Sequence, residues 1–163
     1  MLTTFDPDKG PLFQGEFTEV AVVDPAIPGH RPNLVLDRTK DYRVHLEWRI
    51  QGFDVPLYLA ALANNWQVAV YAESMGPGPE RRIAIDTVPV AAGTNSVGGA
   101  GQPRVSWEAD LDVPANSLPE DTGNNSGVYK LVATVFLNST LGSPGFDIAG
   151  FAEGPIIRIE DPR

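Results

Sequence analysis

The chain has 163 residues, 42% of them hydrophobic and none of them cysteine, so one domain with a sizeable core is expected, held by packing without any disulfide. Twelve basic against 21 acidic residues give a formal net charge of −9, which repels phosphate backbones and anionic membranes and argues against nucleic acid as a partner. The opening residues show no basic leader with an apolar core, and no run approaches the roughly 20 apolar residues of a membrane helix. Neither a signal peptide nor membrane insertion is expected, and a cytoplasmic location is the default.

Residues 1–15 hold apolar anchors at Phe5, Leu12 and Phe13 without a strand period. They are expected as an N-terminal arm, either a flexible tail or a segment that pairs with a neighbouring subunit. Strands are predicted over 16–23 and 34–37. Residues 43–51, RVHLEWRIQ, set Val44, Leu46, Trp48 and Ile50 against Arg43, His45, Glu47, Arg49 and Gln51. A period of two puts the apolar set on one sheet face and the charged set in solvent. Residues 56–63, PLYLAALA, favour a short helical turn through their Leu and Ala content. Residues 66–73, WQVAVYAE, return to the strand period with Trp66, Val68, Val70 and Ala72 inward. A further strand is predicted over 82–88. Residues 90–103, VAAGTNSVGGAGQP, read as a mobile loop, because such small side chains bury little surface. Strands follow over 105–113, where Val105, Trp107, Ala109 and Leu111 alternate with Ser106, Glu108, Asp110 and Asp112, and then over 128–138 and 155–160.

Residues 118–138, LPEDTGNNSGVYKLVATVFLN, run an acidic, Gly/Asn-rich turn into a strand that opens on Tyr129. This resembles the E–F corner of the immunoglobulin-like and fibronectin-III-like β-sandwiches, where a Tyr near the start of strand F sends its hydroxyl back to the preceding backbone. The order Leu46, Trp66, Leu131 is similar to the Cys, Trp, Cys order of immunoglobulin domains with leucine at both cysteine positions. The resemblance covers about residues 16–160 and implies an all-β fold, a single antiparallel immunoglobulin-like sandwich of seven to nine strands occupying 16–163. It makes 43–51 strand B and 66–73 strand C, with the helical turn in the B–C connection. It also implies an adhesive or scaffolding role, by analogy of fold alone.

Catalytic chemistry has few carriers. His30 lies in a proline-flanked loop and His45 on the polar face of a strand, and no G-x-S-x-G accompanies either. Glu108, Asp110 and Asp112 share one strand face and offer paired carboxylates for a hydrolase, yet a solvent-facing acidic row commonly serves solubility and edge protection. No cofactor is expected. Calcium is the exception to weigh, through Glu120, Asp121 and Asn124, although neither this loop nor the one holding Asp6 and Asp8 has EF-hand spacing. Asn124 and Asn138 begin N-x-[ST] triplets, which matter only in a secreted chain.

Binding is the better-supported expectation. Leu57, Tyr58, Leu59 and Leu62, rimmed by Asn64 and Asn65, would form an exposed apolar patch if the connection does not fold inward, and would otherwise plug one end of the sandwich. The leading reading is therefore a non-enzymatic protein-interaction or structural module, self-associating as a homo-oligomer or built into a larger assembly. The alternative is a carbohydrate-binding module, with or without calcium, whose stacking rings would be drawn from Trp48, Trp66, Trp107, Tyr58 and Tyr71. The three tryptophans share the parity of the core residues, which argues for burial rather than display.

Overall fold

The computed structural model describes residues 1–24, 33–62, 64–141 and 146–162. Its elements run in the order β1 (Thr3–Asp6), β2 (Gln14–Val23), β3 (Val35–Asp37), β4 (Tyr42–Gln51), α1 (Val55–Ala61), β5 (Asn65–Ser74), β6 (Arg81–Pro89), β7 (Thr94–Val97), β8 (Pro103–Val113), β9 (Val128–Leu137) and β10 (Ile148–Glu160). Strict alternation in β4 buries Tyr42, Val44, Leu46, Trp48 and Ile50, and in β8 it buries Val105, Trp107, Ala109, Leu111 and Val113. These two strands pair antiparallel at the centre of a four-stranded sheet of order β2-β4-β8-β7. The second sheet has the order β1-β10-β9-β5-β6, with β3 pairing parallel to the far end of β10.

The two inner faces meet in one core. Trp48 and Trp107 from the first sheet stack at 6.3 Å, and Trp66 from the second packs edge-on to both at 5.8 and 5.1 Å. Such pairs add roughly 0.5–1.5 kcal/mol each beyond the area they bury. Tyr129, Leu131, Ala133, Val135 and Leu137 of β9 face this cluster. The Tyr129 hydroxyl donates to the Pro119 carbonyl at 2.9 Å, tying the strand to the turn before it.

Four expectations change in detail. The first fifteen residues contribute a strand and two core rings: β1 pairs antiparallel with β10, and Phe5 and Phe13 are buried. The Phe5 ring lies over Gly15 of β2 and Gly150 of β10, where a Cβ would come within 2.2 and 2.3 Å of it, so glycine is required at both places for β1 to dock. Residues 90–103, expected as a mobile loop, contain β7, whose backbone pairs with β8. All four β7 side chains are exposed, so no alternation announced it. The last strand begins at Ile148 rather than residue 155, because the register shifts between Glu153 and Ile156 and swaps the parity that faces inward. With β1, β3 and β7 included, the described residues form ten strands, three of them only three or four residues long.

Candidate functional site

The segment expected to bind is divided by its own helix. In α1 the 3.6-residue period sends Val55 and Tyr58 to one side and Leu57 to the other, and Leu62, in extended backbone just past the helix, bridges to Ser139. Tyr58 is 2% exposed and Leu62 6%, whereas Leu57 is 59% exposed. The Tyr58 ring packs 4.5 Å from Phe13 and 5.2 Å from Phe146, and its hydroxyl accepts from Lys9 Nζ at 2.7 Å. Leu59 packs partly against the core, while Asn64 and Asn65 are exposed. Tyr58 and Leu62 thus close one end of the sandwich, and the six residues share no single exposed patch.

The outer face of the four-stranded sheet is ionic and internally paired. Arg43 Nε donates to Asp112 at 2.9 Å, Arg49 Nε to Glu16 at 2.6 Å, and His45 lies between Asp110 at 2.7 Å and Glu47 at 3.2 Å. Burial works against a charge on His45, yet the hydrogen bonds to Asp110 and Glu47 outweigh it and hold its pKa above the ordinary value. Two members of the carboxylate row considered for hydrolysis, Asp110 and Asp112, are therefore taken up by cross-strand cations. Glu108 lies opposite Glu47, which in turn lies opposite Glu19. Glu19, His45 and Glu47 present one donor atom each within 4.8 Å of one another. Glu19 joins this group through the irregularity between Phe17 and Glu19, which a sequence reading does not reveal. His30 lies outside the described residues.

Of the calcium candidates, Glu120 and Asp121 line one depression with Glu160 and Asp161. The Glu120 carboxylate accepts from the Asp161 backbone N–H, and Asp121 and Asn124 are exposed on the turn. Of the rings considered for sugar stacking, Trp48, Trp66, Trp107 and Tyr58 are buried, and Tyr71 alone reaches the surface.

Tyr71 belongs to the feature that sequence reasoning missed, the outer face of the six-stranded sheet. Cross-strand register sets two rows along it: Arg82, Tyr71, Val132, Glu153 and, beside it, Ile85, Ala69, Thr134, Phe151. Phe136 extends the apolar area, its ring 5.6 Å from Phe151. Ile85 is 57% exposed, Phe151 42% and Tyr71 38%. Tyr71, Val132, Thr134, Phe136 and Phe151 line an open depression of about 500 Å³ edged by Glu73, Glu80, Arg81 and Arg82. Lys130 at the margin pairs with Glu73 at 3.4 Å and Glu153 at 3.3 Å. The signal was available in β9 itself, VYKLVATVFL, which is apolar on both parities over most of its length. A strand of that kind is usually covered on both faces.

No protein-family model matches the chain, and no curated protein matches it. Among solved structures it is similar to a bacterial adhesin from Mobiluncus mulieris containing intramolecular disulfide, isopeptide and ester bond cross-links, at 11% identity and a TM-score of 0.41. The likeness covers 89% of this chain and 49% of that one, so the chain spans about half the adhesin's length. Among the described residues no helix is long and apolar enough to cross a membrane.

Proposed function

We propose that the protein is a non-enzymatic interaction or structural module of immunoglobulin-like type, and that it binds a protein partner through the outer face of its six-stranded sheet. One observation carries the reading: Tyr71, Val132, Phe136 and Phe151 line an apolar depression with a charged rim on the outer face of this sheet, and Ile85, Tyr71 and Phe151 are exposed there. Apolar surfaces of this kind, edged by polar groups, mark interaction sites on soluble proteins. The immunoglobulin-like part of the reading is supported by strand order, since β2-β4-β8-β7 against β10-β9-β5-β6 follows A-B-E-D against G-F-C-C′. The Tyr129 to Pro119 hydrogen bond and Trp66 at the start of β5 support it as well.

The test is a comparison of wild type with Phe151→Glu in extracts of the source cells, each sized by gel filtration and followed by antibody. Near-UV circular dichroism on the purified variant checks that the core is unchanged. Wild type is expected to elute above its monomer mass of 17.5 kDa and the variant at or near it. Identical elution of the two folded proteins would contradict the assignment of this face.

A further inference from the structure

Resting on that reading of the face, we infer that its occupant is a second copy of this chain, related by a two-fold axis that lies between β5 and β9 and runs parallel to them. The row Arg82, Tyr71, Val132, Glu153 crosses four neighbouring strands. Strands lie about 4.8 Å apart, so the outer two residues stand about 7 Å, and the inner two about 2.4 Å, on either side of that axis. Face-to-face sheets keep their strands within about 30° of each other and sit about 10 Å apart. The rotation keeps each row at its own height and reverses its order across the sheet. Arg82 then lies over Glu153 of the second copy and Tyr71 over its Val132, and each contact occurs twice.

The neighbouring rows obey the same operation. Ile85 meets Phe151 of the second copy, above Ala69 and Thr134, which are buried within each chain. On the other side Glu73, directly opposite Lys130 in this chain, meets Lys130 of the second copy. Arg82 thus falls on Glu153, Glu73 on Lys130 and Ile85 on Phe151, while in the row beyond Phe136 falls on Gln67. An arbitrary partner gives no reason for cation and anion to sit at equal distances from the centre of one row, whereas an isologous interface must be self-complementary about its axis. Arg82 has no ion-pair partner among the described residues, so its charge is available for this contact.

The interface is small. Four strands by three rows cover roughly 400 Å² per copy, about 800 Å² in total, at the low end for specific complexes. The net charge of −9 per chain opposes association further. A concentration-dependent dimer in the micromolar range is expected, best seen near physiological ionic strength.

The experiment is sedimentation equilibrium on the purified protein up to about 1 mM, with wild type, Arg82→Glu, Glu153→Arg and an equimolar mixture of the two variants. Each single substitution places like charges together twice and is expected to weaken self-association at least about tenfold. In the mixture every contact is again of opposite sign, so heterodimers should form with an affinity within a few-fold of wild type. A wild type that stays monomeric throughout would overturn the inference, as would a dimer indifferent to the single substitutions or a mixture that fails to associate. A monomeric wild type leaves the binding face to be judged by the extract experiment, where complexes of higher mass would still depend on Phe151.

Discussion

The two sheets present the same kind of inner face and opposite outer ones. On the four-stranded sheet the outward residues of β4 and β8 are Arg43, His45, Glu47 and Arg49 facing Asp112, Asp110, Glu108 and Ser106, and most of the cations have found a carboxylate across the strand gap. On the six-stranded sheet the outward residues of β5 and β9 are Ala69 and Tyr71 facing Thr134 and Val132, with Phe136 and Phe151 alongside. The first surface is completed within the chain, since exposed cross-strand ion pairs need only water around them. The second leaves apolar area that the chain itself does not cover. The difference is why the proposed binding face is the one whose apolar area the chain leaves open.

The core common to both sheets sets the scale for breaking this comparison. Trp66→Ala removes the ring that touches Trp48 and Trp107 and should cost about 3–5 kcal/mol, read as a lower midpoint in urea, whichever outer face is active. The corner comes next. Tyr129→Phe loses the hydrogen bond to Pro119 and should cost about 1 kcal/mol, whereas Tyr42→Phe should cost nothing or stabilise slightly. The Tyr42 hydroxyl is buried without a partner, and burial pushes its ionisation well above the usual range. A pair of urea melts separates the two tyrosines.

The ionic face should answer to pH. His45 has a raised pKa in the folded chain, so its contribution is complete below the unfolded value of about 6.5 and is lost as pH rises through the folded value. His45→Gln should therefore destabilise by less than about 1 kcal/mol at pH below the unfolded value of about 6.5, with the gap to wild type closing as pH rises. A gap that widened with pH would contradict the assigned contacts to Asp110 and Glu47. The smallest effect belongs to the apolar face. Thr134 is buried there with an unpartnered hydroxyl, so Thr134→Val should leave stability unchanged or raise it by about 0.5 kcal/mol and strengthen association modestly. Thermal melts and sedimentation read these two consequences independently.

Much of this architecture was legible where one residue's neighbours along the chain decide its direction. The alternation in 43–51 and 105–113 identified β4 and β8, and Tyr129 after an acidic turn marked the hydroxyl that bonds back to Pro119. What escaped depends on contacts between distant segments. β7 is held by backbone pairing that leaves no side-chain pattern, and β10 reverses parity at its irregularity near Glu153. Phe5 becomes a core ring only because Gly15 and Gly150, far apart in sequence, leave space for it. The apolar outer face of the six-stranded sheet escaped for a further reason. A period-two reading of β5 and β9 assigns one parity to solvent and does not ask whether that parity is polar, and Leu57 to Leu62 drew attention instead because they sit in a connection.

The most direct test sets the two faces against each other: sedimentation velocity over one concentration series for wild type, Phe151→Glu and Glu108→Lys. Glu108 is exposed on the four-stranded face and lies in a row of like charges with Glu47 and Glu19, so its replacement leaves the fold intact. Wild type and Glu108→Lys are expected to gain mass together with concentration while Phe151→Glu remains a monomer. Equal association of all three, or a loss of association confined to Glu108→Lys, would contradict the assignment of function to the six-stranded sheet.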